Sequence, residues 1–129
     1  MTARGTFDVK VIPQPQDDPA GGPFGKLFLD KTFHGQLDAT SKGQMLAAGT
    51  AVEGSAGYVA LEIVTGTLDG RQGSFILQHL GSMSKSAMSL TVTIVPDSGT
   101  EALTGIAGRM TIIVADGKHS YELEYTLGQ

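Results

Sequence analysis

The chain has 129 residues, a formal net charge of −4, no cysteine and 18 glycines. This length fits a single domain covering residues 1–129, and a chain without cysteine has neither disulfides nor thiol chemistry. The nine Lys and Arg are scattered, which argues against nucleic acid as a partner, and no apolar run approaches the roughly 20 residues of a membrane span.

The N-terminal segment lacks the apolar core of a signal peptide, and we therefore expect a cytoplasmic protein.

The first predicted element is a strand. Thr6 to Ile12 alternates between apolar and polar residues, with Phe7 and Val9 on one face, which is typical of a half-buried strand. The next segment, Pro13 to Gly25, holds four of the five prolines and is predicted to be a loop. It is either an ordinary exposed loop or a lid, since long loops in compact domains often cover sites.

Two more strands are predicted before the middle of the chain. Lys26 to Gly35 alternates, with Leu27, Leu29 and Phe33 on the apolar face. Gly43 to Val52 is also interpreted as a strand, but it is rich in Ala and Gly, so its two faces are ambiguous.

The longest predicted element is a central hairpin, formed by Gly54–Leu68 and Gln72–Met83. The two strands meet at Asp69-Gly70, and Asp-Gly between alternating apolar runs is a strong signal for a type I′ turn. This turn sets a register in which Leu68 pairs with Arg71, Val64 with Phe75, Glu62 with Leu77, and Ala60 with His79.

A sixth strand and one helical turn follow. Ala87–Val95 alternates strictly and ends at Pro96. Ser98–Gly108 is predicted to hold the helix of this chain, a single turn that plugs one end of the fold through Leu103 and Ile106. The side chains expected to point inward from the strand are Met88, Leu90, Val92 and Ile94.

The last two predicted strands, Arg109–Ala115 and Lys118–Leu127, meet at a second Asp-Gly, Asp116-Gly117. The turn pairs Ile112 with Tyr121. In this register the apolar side chains of the two strands lie on one face of the hairpin and the charged side chains lie on the other. Eight strands joined mostly by hairpins favour an all-β fold, a single closed antiparallel barrel with minimal helix, because closure removes exposed edges. A β-sandwich is the alternative.

The central hairpin is apolar on both faces. Val59, Leu61 and Ile63 lie on one side, and Val64 and Phe75 lie on the other. A barrel strand in a monomer is expected to have a wet outer face, so two dry faces predict a homo-oligomer.

Glu62 and His79 are the candidate catalytic residues. Glu62 interrupts the apolar run VALEIV, and a buried carboxylate either finds hydrogen-bond donors or has its pKa raised, which suits a general acid or base. His79 shares the face of Glu62 at a diagonal spacing of roughly 7 Å, so the pair could relay a proton. Both residues also have a purely structural interpretation, and a bulge near Gly73 would turn Gln78 inward instead of His79.

Five aromatic side chains are candidate ligand contacts. Two inward tyrosines on the last strand would give an amphipathic lining that holds an apolar ligand and hydrogen-bonds it. The alternative is that these tyrosines belong to the core, with their hydroxyl groups at the barrel rims. The candidate ligand-binding residues are Tyr58, Phe75, His119, Tyr121 and Tyr125.

The sequence contains no pattern for a metal or a cofactor. His34, His79 and His119 lie on separate strands without a partner at ligand spacing, so we expect no metal. The glycine-rich GTLDGRQGS is a hairpin turn and not a strand-to-helix phosphate loop, so we expect no nucleotide cofactor.

Four segments of the chain resemble a known family: RGTFDVK, YVALEIVTGTLDGRQGSFILQHLG, VPDSGTEALTGIAG and DGKHSYELEYTL. They are similar to domain-of-unknown-function family 3224, a family of uncharacterised bacterial proteins. Members look like the allene oxide cyclase barrel, which implies eight antiparallel strands. Plant allene oxide cyclases close an unstable epoxide largely by holding it in one conformation, without a cofactor. No catalytic residue of theirs can be placed on this sequence by motif.

Three functional hypotheses remain open from the sequence. The first is a barrel that binds an apolar or amphipathic small molecule, and that acts as a cofactor-independent cyclase or isomerase if chemistry occurs. The second is a non-catalytic barrel that works through its outer face as an oligomeric interaction or structural protein. The third is a carrier of small molecules, as in lipocalin-type barrels.

Overall fold

The computed structural model describes residues 1–15 and 19–128, and these form a closed barrel of eight antiparallel strands in chain order. The predicted barrel is therefore confirmed and the sandwich alternative is excluded. The described residues contain helix only as two short 3-10 turns, Pro19–Gly21 and Glu101–Leu103. The strands are β1 Thr2–Pro13, β2 Gly25–Gly35, β3 Leu37–Gly49, β4 Ala56–Leu68, β5 Arg71–Met83, β6 Met88–Ile94, β7 Ile106–Ala115 and β8 Lys118–Leu127.

Both Asp-Gly turns adopt the predicted conformation. Asp69 and Gly70 have φ of 49° and 81°, and Asp116 and Gly117 have φ of 53° and 75°. A type I′ turn needs positive φ at both central residues, which Asp and Gly tolerate. The predicted registers of β4 with β5 and of β7 with β8 are confirmed, so the inward and outward faces of these strands are assigned correctly.

The predicted bounds of β3 were wrong. The strand runs from Leu37 to Gly49 and does not continue to Val52. Its buried positions include Ala39 and Ser41, which are small or polar, so they gave no hydrophobic alternation by which the sequence could place the strand.

One end of the barrel is closed, as predicted, by the turn Glu101–Leu103. Leu103 and Ile106 are 1% and 2% exposed, and Ile106 is also the first residue of β7. A Cβ atom at Gly73 would lie 2.3 Å from the carbonyl oxygen of Thr100 and 3.2 Å from the side chain of Leu103, so glycine at this position lets the turn pack into the end. We call this the closed end. It holds the β2–β3, β4–β5 and β6–β7 connections.

The opposite end, which we call the open end, holds the β1–β2, β3–β4, β5–β6 and β7–β8 connections. Met88 and Leu90 point inward as predicted, but they are 78% and 39% exposed. They share the inward face of β6 with the buried Val92, but they lie nearer the open end. Strands in a barrel are tilted and staggered, so the end of one strand can project beyond the ends of the strands across the barrel. An inward side chain on the projecting end is then left uncovered.

The proline-rich loop connects β1 to β2 at the open end. Pro13 ends β1, and Pro19–Gly21 forms the first 3-10 turn. The choice between an exposed loop and a lid falls partly on residues 16–18, which lie outside the described residues. In the part of the chain that the structure describes, no helix has the length and apolar character required to cross a membrane.

Candidate functional site

A cluster of polar side chains lies inside the barrel around Glu62. The Glu62 side chain accepts three hydrogen bonds, two at Oε2, from Lys31 Nζ at 2.8 Å and His79 Nε2 at 2.6 Å, and one at Oε1, from Ser41 Oγ at 2.8 Å. The four residues come from the neighbouring strands β2, β3, β4 and β5. Glu62 is 1% exposed, and it has found donors within the barrel. We call these four residues the polar cluster.

Glu62 remains ionised despite its burial. Burial pushes its pKa upward, but the hydrogen bond from His79 and the charge and hydrogen bond of Lys31 outweigh this effect and lower the pKa to about 2. An ionised carboxylate only accepts hydrogen bonds, so His79 Nε2 is the donor to Oε2. Glu62 therefore does not have the raised pKa of a general acid.

The predicted relation between Glu62 and His79 agrees with the structure. Both side chains point inward, and Gln78 is exposed on the outer face. The β4–β5 ladder continues without a shift through the pair Gly66 and Gly73. The bulge that would have turned Gln78 inward is not present.

Sequence reasoning missed Lys31 and Ser41. Lys31 alternates with Leu29 and Phe33, and it thus occupies an inward position of β2. A lysine and a glutamate at inward positions of one barrel are a signal for a buried ion pair, because an unpaired charge is too costly to bury. Ser41 was hidden by the misplaced bounds of β3.

Aromatic rings surround the buried ammonium group. Lys31 Nζ lies 5.1 Å from the ring centre of Phe7 and 5.9 Å from that of Phe33, which are cation–π distances. The ring of Phe7 also lies 5.2 Å from the ring of His119. His119, a predicted ligand contact, is half-buried near the open end.

Tyr58 lies on the open-end side of the polar cluster. Its ring centre is 6.4 Å from that of His79, and a Cβ atom at Gly81 would be only 2.2 Å from a Tyr58 ring carbon. Glycine at position 81 therefore gives the ring its place. Burial and the negative charge of Glu62 raise the pKa of Tyr58. No hydrogen bond of the Tyr58 hydroxyl group is found among the described residues.

The other predicted aromatic contacts lie toward the closed end. Tyr121 donates its hydroxyl hydrogen to the carbonyl group of His34 at 2.9 Å and accepts the N–H of Leu37 at 2.9 Å. Tyr125 donates to the carboxylate of Asp69, and Phe75 is 1% exposed in the core. These contacts give both tyrosines a structural role, which was the alternative interpretation of the last strand.

Inward-facing apolar side chains become more exposed toward the open end. On β7, Met110 is buried, Ile112 is half-buried and Val114 is 64% exposed. β6 follows the same order, from the buried Val92 to the exposed Met88. The inner wall thus opens to solvent at this end and is lined there by apolar groups. We call this region the mouth, and its inward residues include Val9, Val11, Tyr58, Met88, Leu90, Ile112, Val114 and His119.

The outer wall carries a second apolar surface, on β3, β4 and β5. A groove of about 1090 Å³ runs along it and is lined in part by Gln44, Leu61 and Gln78. The expectation of two apolar faces on the central hairpin is therefore met, with one face inside the barrel and one exposed. In the range that the structure describes, no group of His, Asp and Glu side chains could hold a metal ion.

Comparison with known proteins identifies the family. Residues 3–125 match the family described as "Protein of unknown function (DUF3224)". A crystal structure of a protein with unknown function from the DUF3224 family of Shewanella oneidensis MR-1 is 46% identical to this chain, with a TM-score of 0.92. The match covers 100% of this chain and 98% of that chain. A comparison with curated proteins finds no match. The chain therefore belongs to the DUF3224 family, and the resemblance in its sequence segments is confirmed.

Proposed function

We propose that this DUF3224 barrel binds an apolar or amphipathic small molecule at its mouth, above the polar cluster. One observation carries the proposal: inward-facing apolar side chains are exposed at one end of the barrel only. Met88 and Val114 are 78% and 64% exposed, whereas Leu103 and Ile106 close the other end. Exposing large apolar groups to water is unfavourable, and sites for small molecules are concave and mostly apolar.

The side chains around the mouth define the chemistry of the ligand. Val9, Leu90 and Ile112 supply apolar contacts, and His119 and the hydroxyl group of Tyr58 supply polar ones. The Tyr58 hydroxyl is free to form a hydrogen bond with a ligand, since the described residues provide it no partner. We therefore expect a ligand with an apolar body and a hydroxyl or carbonyl group, bound with the polar group toward Tyr58.

The polar cluster lies below Tyr58 and sets the electrostatics of the site. His79 is the member that can exchange a proton, because Glu62 is held ionised by Lys31 and His79 itself. In a cofactor-independent cyclase or isomerase, His79 would be the acid or base, and Glu62 would orient its ring. A carrier would use the same mouth without proton transfer, so the two functions differ at His79 and not at the apolar wall.

The proposal is tested with a neutral apolar fluorophore, N-phenyl-1-naphthylamine, whose emission rises when it leaves water. The chain has no tryptophan, so the protein background is low. Val114→Lys places a charge in the mouth, and Ile113→Lys, the matched control, places the same charge on the outer face of the adjacent position. Both positions are exposed in the native protein, at 64% and 45%, which limits any effect on folding.

We expect the wild type and Ile113→Lys to bind the fluorophore with equal affinity, and Val114→Lys to bind at least about 10-fold more weakly because a charge is costly near an apolar ligand. Leu61→Lys on the outer groove should bind like the wild type. Equal affinity of Val114→Lys and Ile113→Lys would overturn the proposal. Loss of binding in Leu61→Lys alone would show that the fluorophore binds in the outer groove, and this result would also overturn the proposal.

A further inference from the structure

The outer surface of β3, β4 and β5 has the composition of a protein interface. We call it the outer face. Its apolar members are each about half exposed, and its charged neighbours are Lys42 on β3 and Lys26 and Asp30 on β2. Depletion of charge in the centre of an apolar patch distinguishes interface cores from ordinary surface. The exposed apolar members are Leu46, Val59, Leu61, Ile63 and Leu80.

The amount of apolar surface matches what a dimer requires. Five aliphatic side chains that are about half exposed present roughly 450 Å² in one contiguous patch, a size that is often functional. A standard interface buries about 800 Å² per partner, and a little over half of it is apolar, which also gives about 450 Å². The outer face can therefore supply the apolar part of one complete interface.

The outer face is arranged in three rows across the strands. The middle row contains Leu61 flanked by Gln44 and Gln78, which are its direct neighbours on β3 and β5. The row toward the open end places Val59 between Leu46 and Leu80, and the row toward the closed end places Ile63 between Lys42 and Ile76. Glutamine lies on the middle row, and apolar residues lie on both sides of it.

This arrangement is complementary to itself. A two-fold axis along the middle row would place Leu61 against Leu61 of a second copy, and each glutamine amide against the same amide, which both donates and accepts hydrogen bonds. The same rotation brings Val59 against Ile63, and Leu46 against the aliphatic stem of Lys42, whose ammonium group lies 3.6 Å from Asp30. On β2, it brings Lys26 of one copy opposite Asp30 of the other, since these residues flank Phe28, which pairs with Gln44.

We propose that the outer face is a homodimer interface, with a two-fold axis that runs along the middle row through Leu61. The occupant is a second copy of this chain, because the apolar area, the glutamine amides, and the charges of Lys26 and Asp30 complement their own images under one rotation. The interface uses outward side chains only, so it is independent of the small-molecule site inside the barrel.

A single engineered cysteine tests the position of the axis. The native chain has no cysteine, so Leu61→Cys introduces the one thiol of the protein. Two copies related by an axis at residue 61 bring their sulfur atoms together, and mild oxidation should convert most of the protein to a disulfide-linked dimer. Ile113→Cys on the outer wall of β7, the matched control, should remain largely uncrosslinked under the same conditions.

Light scattering and sedimentation of the unmodified chain measure the assembly itself. We expect a dimer for the wild type and Ile113→Lys. Leu61→Lys should raise the dissociation constant at least about 100-fold, because it buries two like charges at the axis. A monomeric wild type would overturn the proposal. A dimer that tolerates Leu61→Lys, with Leu61→Cys crosslinking no better than Ile113→Cys, would place the interface elsewhere and overturn it as well.

Discussion

Replacing Glu62 with glutamine removes the negative charge that Lys31 and His79 face inside the barrel. Glutamine keeps the size of the side chain and can still bond to Ser41, but the ammonium group of Lys31 loses its counter-charge. Lys31 is 5% exposed, and its Nζ atom lies 2.8 Å from Glu62 Oε2, so water cannot replace the lost carboxylate. Breaking a buried ion pair on one side typically costs about 3–5 kcal/mol.

The pH dependence of stability gives a second measure of the same interaction. The pKa of Glu62 falls from 4.5 to about 2 on folding, which corresponds to about 3 kcal/mol of stabilisation by the ionised form. Because the folded pKa is depressed, this contribution is fully present above pH of about 4.5 and is lost as the pH falls toward about 2. Glu62→Gln should lack this part of the acid-side loss of stability.

The assay is denaturant unfolding followed by far-ultraviolet circular dichroism, at fixed protein concentration and at several pH values. A matched double variant, Lys31→Met with Glu62→Gln, should recover much of the loss at neutral pH, because no unpaired charge remains. A Glu62→Gln cost below about 1 kcal/mol at pH 7, or an unchanged acid-side dependence, would refute the assignment of a stabilising buried ion pair.

Two further predictions concern the closed end. Tyr121→Phe should lower the free energy of unfolding by about 1–3 kcal/mol in a denaturant titration, because the N–H of Leu37 loses its acceptor. Fluorophore binding at the mouth should be unchanged, and a loss of binding would show that Tyr121 belongs to the ligand site. Tyr125 should ionise with a pKa of about 12 in an ultraviolet absorbance titration, since burial and the hydrogen bond to Asp69 raise its pKa. The stabilisation from this hydrogen bond should be fully present below a pH of about 10 and should be lost as the pH rises through about 12. Asp69→Asn tolerates the same turn and should lower this pKa, so an unchanged titration would contradict the role of Asp69.

The parts of the fold set by local chemistry could be predicted from the sequence. Asp69-Gly70 fixes a turn with two positive φ angles, and the turn fixes which residues of β4 and β5 share a face. Glu62 and His79 therefore could be placed together from sequence spacing alone.

The parts that depend on neighbouring strands could not be predicted. Ser41 and Lys31 belong to the polar cluster because β2 and β3 are adjacent to β4, and no turn of strong signal fixed the bounds of β3. The depth of a residue in the barrel was also out of reach. Alternation tells that Met88 and Val92 share a face, but only strand stagger determines that Val92 is buried and Met88 is exposed.

The central claim of a small-molecule site is tested most directly by native mass spectrometry of the protein purified from its own organism. We expect an added mass of a small organic molecule on the wild type and on Ile113→Lys, and the loss of this mass from Val114→Lys, in which the new charge lies in the mouth. A chain that carries no added mass from its own organism and binds no apolar fluorophore would contradict the account.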